Sequence, residues 1–264
     1  MANLAPLLAD LRAEADALDG VVAALEQTAW LNPTPAEGWT IAHQIAHLAW
    51  TDQQALLAAT DPEGFARATS EAGPELAAAV DDAADSGATD SPEELLARWR
   101  QGRTALAEQL AALPAGARLP WFGPPMSAAS MATARLMETW AHGVDVTEAL
   151  NHPPSVSGRL RHVAHIGVRT RDFAFRQNGR TPPPEEFRVE LTAPGGGTWT
   201  WGPEDAVQRV TGPALDFCLR VTRRRHRDDL ALQATGPDAD RWLDVAQAFA
   251  GPPGEARPPS DAGA

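Results

Sequence analysis

The spacing of apolar residues changes once along this chain of 264 residues, and that change limits what it can fold into. Up to about residue 177 the period is helical. Leu4, Leu7, Leu8, Leu11, Leu18, Val22 and Leu25 recur at steps of three and four or their multiples, which lays an apolar stripe along one helix face. Pro33, Pro35 and Gly38 interrupt it, and Thr40 caps a second helix from about Ile41 towards Leu57. The Ala-rich polar stretch Asp61 to Thr89 reads as one or two short surface helices. Ser91-Pro-Glu-Glu94 starts a third long helix with a capping box and Pro in the first turn. A Pro/Gly-rich loop, Pro114 to Pro125, holds Trp121-Phe122, and a fourth helix begins near Ser127. Four long helices with one crossover fit an antiparallel bundle, a frequent host for metal sites.

A further helical segment, Ser157 to Gln177, leads to the linker Asn178-Gly-Arg-Thr-Pro-Pro-Pro184. Beyond it the period is two. Phe187 to Thr192 and Thr198 to Trp201 flank Ala193-Pro-Gly-Gly-Gly197, a hairpin pattern. Strands are expected at 206–210 and 229–234, and helices after Gly212-Pro213 and from Pro237 to Phe249. The fold expected is α+β: a helical bundle over 1–178, a linker over 179–186, a smaller α/β domain over 187–251 and a frayed tail over 252–264.

Composition removes several chemistries. All 22 basic residues are Arg and there is no Tyr, so a Schiff-base lysine, a phosphate-loop lysine and a tyrosine acid are absent. Cys218 is the single cysteine, which excludes an internal disulfide and a cysteine-cluster metal site; it reads as an apolar filler. A formal charge of −13 argues against nucleic acid as a partner. No apolar run is long enough to span a bilayer, and the N-terminus lacks a signal-peptide pattern. The expectation is a cytoplasmic protein with neither membrane nor nucleic-acid partners.

What speaks about chemistry is two pairs spaced four apart, His43/His47 on the second helix and Glu138/His142 on the fourth. Residues four apart share a helix face. Two such faces packed together would bring imidazoles and a carboxylate to one point, the pattern of a catalytic divalent metal site with an open position. The plain alternatives are packed histidines and an ordinary helix pair. Glu138 lies between Leu136-Met137 and Trp140-Ala141, where a buried carboxylate without a partner is costly, and a shared cation would offset that cost.

On these residues the chain resembles the mycothiol-dependent maleylpyruvate isomerase family, among the DinB-like metal-binding bundles. Gly38-Trp39-Thr40 with His47-Leu-Ala49 resembles the family's first ligand segment, and Glu138, Trp140, His142-Gly143 and Asp145 its second. Phe187 to Trp242 resembles its sterol-carrier-like C-terminal domain, so nearly the whole chain is covered. The resemblance implies a divalent metal of zinc type on His47, Glu138 and His142, with mycothiol as cosubstrate. His43 lies outside the family pattern and reads as a proton carrier, a partner behind the ligands, or a packed residue. Asp145 reads equally as a partner of a ligand histidine or a surface carboxylate. In the family an Arg of the C-terminal domain helps to hold an anionic substrate or thiol, and Arg224 is the closest match within the run Arg223 to Arg225, whose register the resemblance leaves open. The chain departs from the pattern beside it, at Arg223, where a small residue is expected. Arg135 and Arg169 are further cations whose default is a solvated surface. Trp39, Trp50 and Trp140 flank the ligands, and the Trp121-Phe122 loop is placed to cover a pocket mouth.

These readings lead to an enzyme that activates a low-molecular-weight thiol for isomerisation of, or transfer to, a small electrophilic substrate. The same ligands would serve a hydrolase. A non-catalytic metal- and small-molecule-binding protein is the main rival, favoured if His43 closes the metal as a fourth ligand. A metal-independent interaction domain is the third reading.

Overall fold

The computed structural model describes residues 4–72, 76–251 and 257–260. Contacts divide the chain into two compact units, Met1–Ser155 and Val156–Ala264. The first unit holds α1 (Leu4–Val22), α2 (Ile41–Thr60), α3 (Pro62–Ala72), α4 (Leu76–Ala88), α5 (Pro92–Ala112) and α6 (Ala128–Ala149). These are the four long helices expected, with α3 and α4 in the Ala-rich stretch.

α2 is the hub, packed against α5, α4, α6 and α3, while α1 lies on α6 and α5. Its apolar positions Ile41, Ile45 and Leu48 are fully buried, in one cluster with Leu18, Val22, Leu95 and Trp99. Burying side chains of this kind stabilises by about 1.5–3 kcal/mol each. The capping box of α5 is present: Glu94 N–H donates to Ser91 Oγ at 3.3 Å and Ser91 N–H to Glu94 Oε2 at 3.1 Å. Arg103 pairs with Asp16 and Arg100 with Asp19, so positions rise along α1 as they fall along α5 and the two helices run antiparallel. Phe65 on α3 and Ala84 on α4 are buried, so this stretch is packed on the bundle and is more than surface cover.

The second unit holds α7 (Leu160–Arg169), α8 (Arg171–Gln177), β1 (Arg188–Thr192), β2 (Thr198–Trp201), β3 (Arg209–Pro213), α9 (Ala214–Val221), β4 (Gln233–Thr235) and α10 (Pro237–Val245). The sheet order is β2-β1-β3-β4. β1 and β2 form the expected antiparallel hairpin, β1 and β3 pair parallel, and β4 joins β3 antiparallel. Val189, Leu191 and Val210 supply the buried face of the sheet. Trp242 of α10 meets Phe187 and Phe217 edge-on at 5.8 and 5.7 Å.

The segment 157–177 differs from its expectation in two ways. It is two helices, divided at Thr170, whose hydroxyl donates to Gln247 O at 2.7 Å. It also packs with the second unit, α7 on α9 and α8 on α10, where the sequence reading had placed it with the bundle. Gly167 explains the first of these contacts: a Cβ there would lie 2.8 Å from Val221 Cγ2, so a bare glycine admits α9. The third strand starts three residues later than expected and the last helix stops at Val245. Most of the tail expected to fray, 252–256 and 261–264, lies outside the described residues. Among the described residues no helix is long and apolar enough to cross a membrane.

Candidate metal centre

α2 and α6 meet along a ladder of polar contacts inside an apolar bundle. Gln44 touches His142, His47 faces Glu138, and Asp52 pairs with Arg135. Positions rise on α2 as they fall on α6, so these helices too are antiparallel. The four-residue spacings put His47 and the Glu138/His142 pair on the facing stripes.

The central rung gathers three donors. Glu138 Oε2 lies 3.2 Å from His142 Nε2 and 3.8 Å from His47 Nε2, and ligand atoms of the three residues fall within 4.8 Å of one another. Two ligand atoms on one tetrahedral zinc ion stand about 3.3 Å apart, given bonds of about 2.0–2.2 Å. The observed spacings bracket that figure, so the donor set fits a divalent cation of this size. The side chains are largely buried, 12% exposed for His47, 20% for Glu138 and 11% for His142. Burial by itself would raise the Glu138 pKa. Hydrogen bonding to His142 and His47, with Arg135 nearby, outweighs it and holds the carboxyl well below the usual carboxylate range.

A relay behind His142 sets its tautomer. Thr34 Oγ1 donates to Trp39 O at 2.9 Å and accepts from Gln44 Nε2 at 2.9 Å. That leaves Gln44 Oε1 facing His142 Nδ1 at 2.5 Å, so Nδ1 carries a proton, and Nε2 either donates a second proton to Glu138 or offers its lone pair to a cation. Two electron-rich atoms facing each other at 3.2 Å call for an electrophile between them, either a proton or a metal. His47 has no such support: its buried Nδ1 has no hydrogen-bond partner among the described residues. Its ring is held by tilted ring contacts, 4.5 Å from the His142 ring and 5.3 Å from Trp39 between centroids. Trp39 in turn stacks on His142 at 6.1 Å. It projects from a tight loop closed by the Pro33–Thr40 bridge, whose turn needs the left-handed backbone of Gly38 at φ 75.

The sequence did not single out Gln44 or Thr34. Gln44 was detectable, since it lies three residues before His47 on the same helix face, between the apolar residues Ala42 and Ile45. Gln44→Leu keeps the side-chain bulk and removes the acceptor. It is expected to weaken zinc binding about 10–100-fold, read by competition with a chromophoric chelator; an unchanged affinity would refute the relay.

The other sequence-predicted residues fall elsewhere. His43 stands at the third position of α2, where Nδ1 accepts from Thr40 N–H at 3.2 Å and Nε2 faces Asp85 Oδ1 at 3.2 Å. Its ring caps the helix and tethers α4, outside the cluster of three. Asp145 is 1% exposed, which removes the reading of it as a surface carboxylate. Arg135, expected to be solvated, is 1% exposed and donates from Nε to Asp52 Oδ1 at 2.8 Å; its position three before Glu138 puts it on the buried face. Arg169 is exposed. Arg224 belongs to the second unit, where Nη1 donates to Thr222 O at 2.9 Å. Trp140 is buried and donates to Ser155 O. Trp121 and Phe122 pack on Phe65 and Trp50, which fastens their loop to α3 and α2. Cys218 is buried, and burial pushes its thiol well above the usual range, which suits a filler and not a nucleophile.

Residues 11–147 match a family profile described as the mycothiol maleylpyruvate isomerase N-terminal domain. Residues 183–235 match a second profile, described as wyosine base formation. A protein of Mycobacterium tuberculosis described as uncharacterized, found in strains CDC 1551 / Oshkosh and ATCC 25618 / H37Rv, is 60% identical over 257 residues, covering 97% of this chain and 100% of its own. The crystal structures of the mycothiol-dependent maleylpyruvate isomerase and of a histidine-to-alanine mutant of it share the fold. Each has a TM-score of 0.60, at 18% and 17% identity, and covers 89% of this chain and 95% of its own.

Proposed function

Since the chain belongs to the mycothiol maleylpyruvate isomerase N-terminal domain family, we propose that it is a divalent-metal-dependent enzyme acting with a low-molecular-weight thiol of the mycothiol type. Its reaction is isomerisation of, or thiol transfer to, a small electrophilic substrate. The observation that carries this reading is the convergence of His47, Glu138 and His142 within 4.8 Å on the α2–α6 seam.

His47 and His142 present imidazole nitrogens and Glu138 a carboxylate oxygen, a donor set suited to zinc and its neighbours. A cation of this kind lowers the pKa of a bound thiol, so that the thiolate is available as a nucleophile near neutral pH. The chain contributes the rest. Glu138 stays ionised inside the bundle, supplying negative charge where a dication would sit. Gln44 fixes the His142 tautomer. Trp39 forms an aromatic wall over both histidine rings and keeps water from that side. The only cysteine of the chain, Cys218, is buried and its thiol is held protonated, so the nucleophilic sulfur comes from the cosubstrate. His43 is committed to Thr40 and Asp85, which supports three protein ligands and an open position over a closed structural site.

The test is turnover. Metal-replete protein is mixed with mycothiol and a panel of small electrophilic acids, maleylpyruvate among them. Isomerisation is followed by the change in double-bond geometry and transfer by loss of free thiol. Turnover that requires the thiol and stops with a chelator is expected. Turnover that ignores the thiol points to a hydrolase on the same ligands, and none at all contradicts the proposal.

A further inference from the structure

α9 ends in a way its sequence does not favour. Arg223 N–H donates to Arg220 O at 3.0 Å and Arg224 N–H to Leu219 O at 2.8 Å, the paired bonds of a helix end whose next residue turns left-handed. That residue is Arg223, at φ 61. Glycine is the usual occupant, because a Cβ crowds the following carbonyl in this conformation. The side chain adds a second penalty. Arg223 Nε and Nη1 are buried with no hydrogen-bond partner among the described residues, and unpaired buried donors are unfavourable. Neither feature helps the fold, so the residue's use lies elsewhere.

Arg223 lines a cavity of about 180 Å³ together with Arg220, Arg225, His226, Arg227 and Arg257, and Asp244 is the one acid lining it among the described residues. Asp244 is taken up by Arg227 at 2.5 Å. Arg220 donates to Leu243 O and Asp244 O at 2.5 and 2.6 Å. Burial, and the like charge of Arg223, pull the Arg220 pKa down to about 10, and burial lowers that of Arg223 as well. The like charges of Arg220 and Arg223 thus meet at one partly open cavity.

We propose that this cavity binds a multiply charged oxyanion of the phosphate class, with Arg223 as its principal donor. A buried guanidinium N–H makes a short, charge-assisted hydrogen bond to an oxygen of a tetrahedral anion. Bound charge relieves the repulsion between Arg220 and Arg223 and supplies a partner for a donor that Arg223 leaves unmet. The site lies wholly within the second unit and does not depend on the reading of the metal centre.

Isothermal titration of the full-length protein with inorganic phosphate, and separately with pyrophosphate, tests this in a phosphate-free buffer. Saturable binding that weakens as salt rises is expected for the wild type. Arg223→Gly suits the left-handed backbone, so it is expected to melt no lower than wild type without ligand and to bind about tenfold or more weakly. Arg223→Asn, also tolerated in this conformation, is expected to behave in the same way. Arg241→Ala removes an exposed cation paired to Asp238 outside the cavity and is expected to bind like wild type, which controls for net charge. Absence of saturable binding by the wild type overturns the proposal, as does unchanged binding by Arg223→Gly. A large fall in melting temperature for both Arg223 variants would make the residue structural and overturn it too.

Discussion

Asp52→Ala is expected to destabilise the first unit by about 3–5 kcal/mol, because it leaves the Arg135 guanidinium charged and unpaired in the bundle interior. The pair is among the most buried of the described residues, with side chains 6% and 2% exposed. Even with Asp52 present, Arg135 Nη2 has no hydrogen-bond partner among the described residues, and there is no spare contact to take up the loss. For a domain of this size the melting temperature falls by roughly ten degrees or more. The double variant Asp52→Ala/Arg135→Met removes both charges and is expected to recover much of that loss, since a buried pair contributes little net stability against apolar replacements. Thermal melts followed by circular dichroism for the two variants check both statements. A single variant that melts like wild type would mean that the pair is hydrated and the seam wetter than described.

The parts of this seam were unequally legible in the sequence. The pairs His43/His47 and Glu138/His142 could be picked out because a spacing of four states which residues share a face, and the choice of His47 with Glu138 and His142 came from the family resemblance. His43 has the same spacing from His47 and goes elsewhere. The competing signal was its distance of three from Thr40, which makes it a capping residue at the start of α2. Arg135 was read as solvated because arginine usually is. Its partner Asp52 is 83 positions away, and only the antiparallel register of α2 and α6 brings the two together. The end of the bundle was misplaced for a related reason. A helical period shows that 157–177 has an apolar stripe and is silent on which surface the stripe meets. Gly167, a bare position opposite Val221, was the one local hint that α7 packs on α9. In the second unit the hairpin was clear from its alternation and glycine run. The left-handed backbone at Arg223 could not be seen, since nothing in a run of arginines marks a helix end; the departure from the family's small residue was the available signal.

Glu138→Ala carries the other large effect. Zinc binding to a complete protein site is worth about 10–16 kcal/mol near neutral pH, so each of three or four ligands answers for roughly 3 kcal/mol, and loss of one lowers affinity roughly a hundredfold or more. Glu138 is the least dispensable of the three, being the only one that brings charge. Without it two imidazoles would face a dication alone inside an apolar bundle. The thiol-dependent turnover proposed above is expected to fall with the metal. The direct measurement is the metal content of the purified, tag-free protein after dialysis, beside that of Glu138→Ala prepared in parallel. The account predicts about one zinc-type ion per chain in the wild type and little in the variant. Equal metal in both proteins, or none in either even after incubation with divalent ions, would contradict it and leave His47, Glu138 and His142 as a hydrogen-bonded cluster that only helps to join α2 to α6.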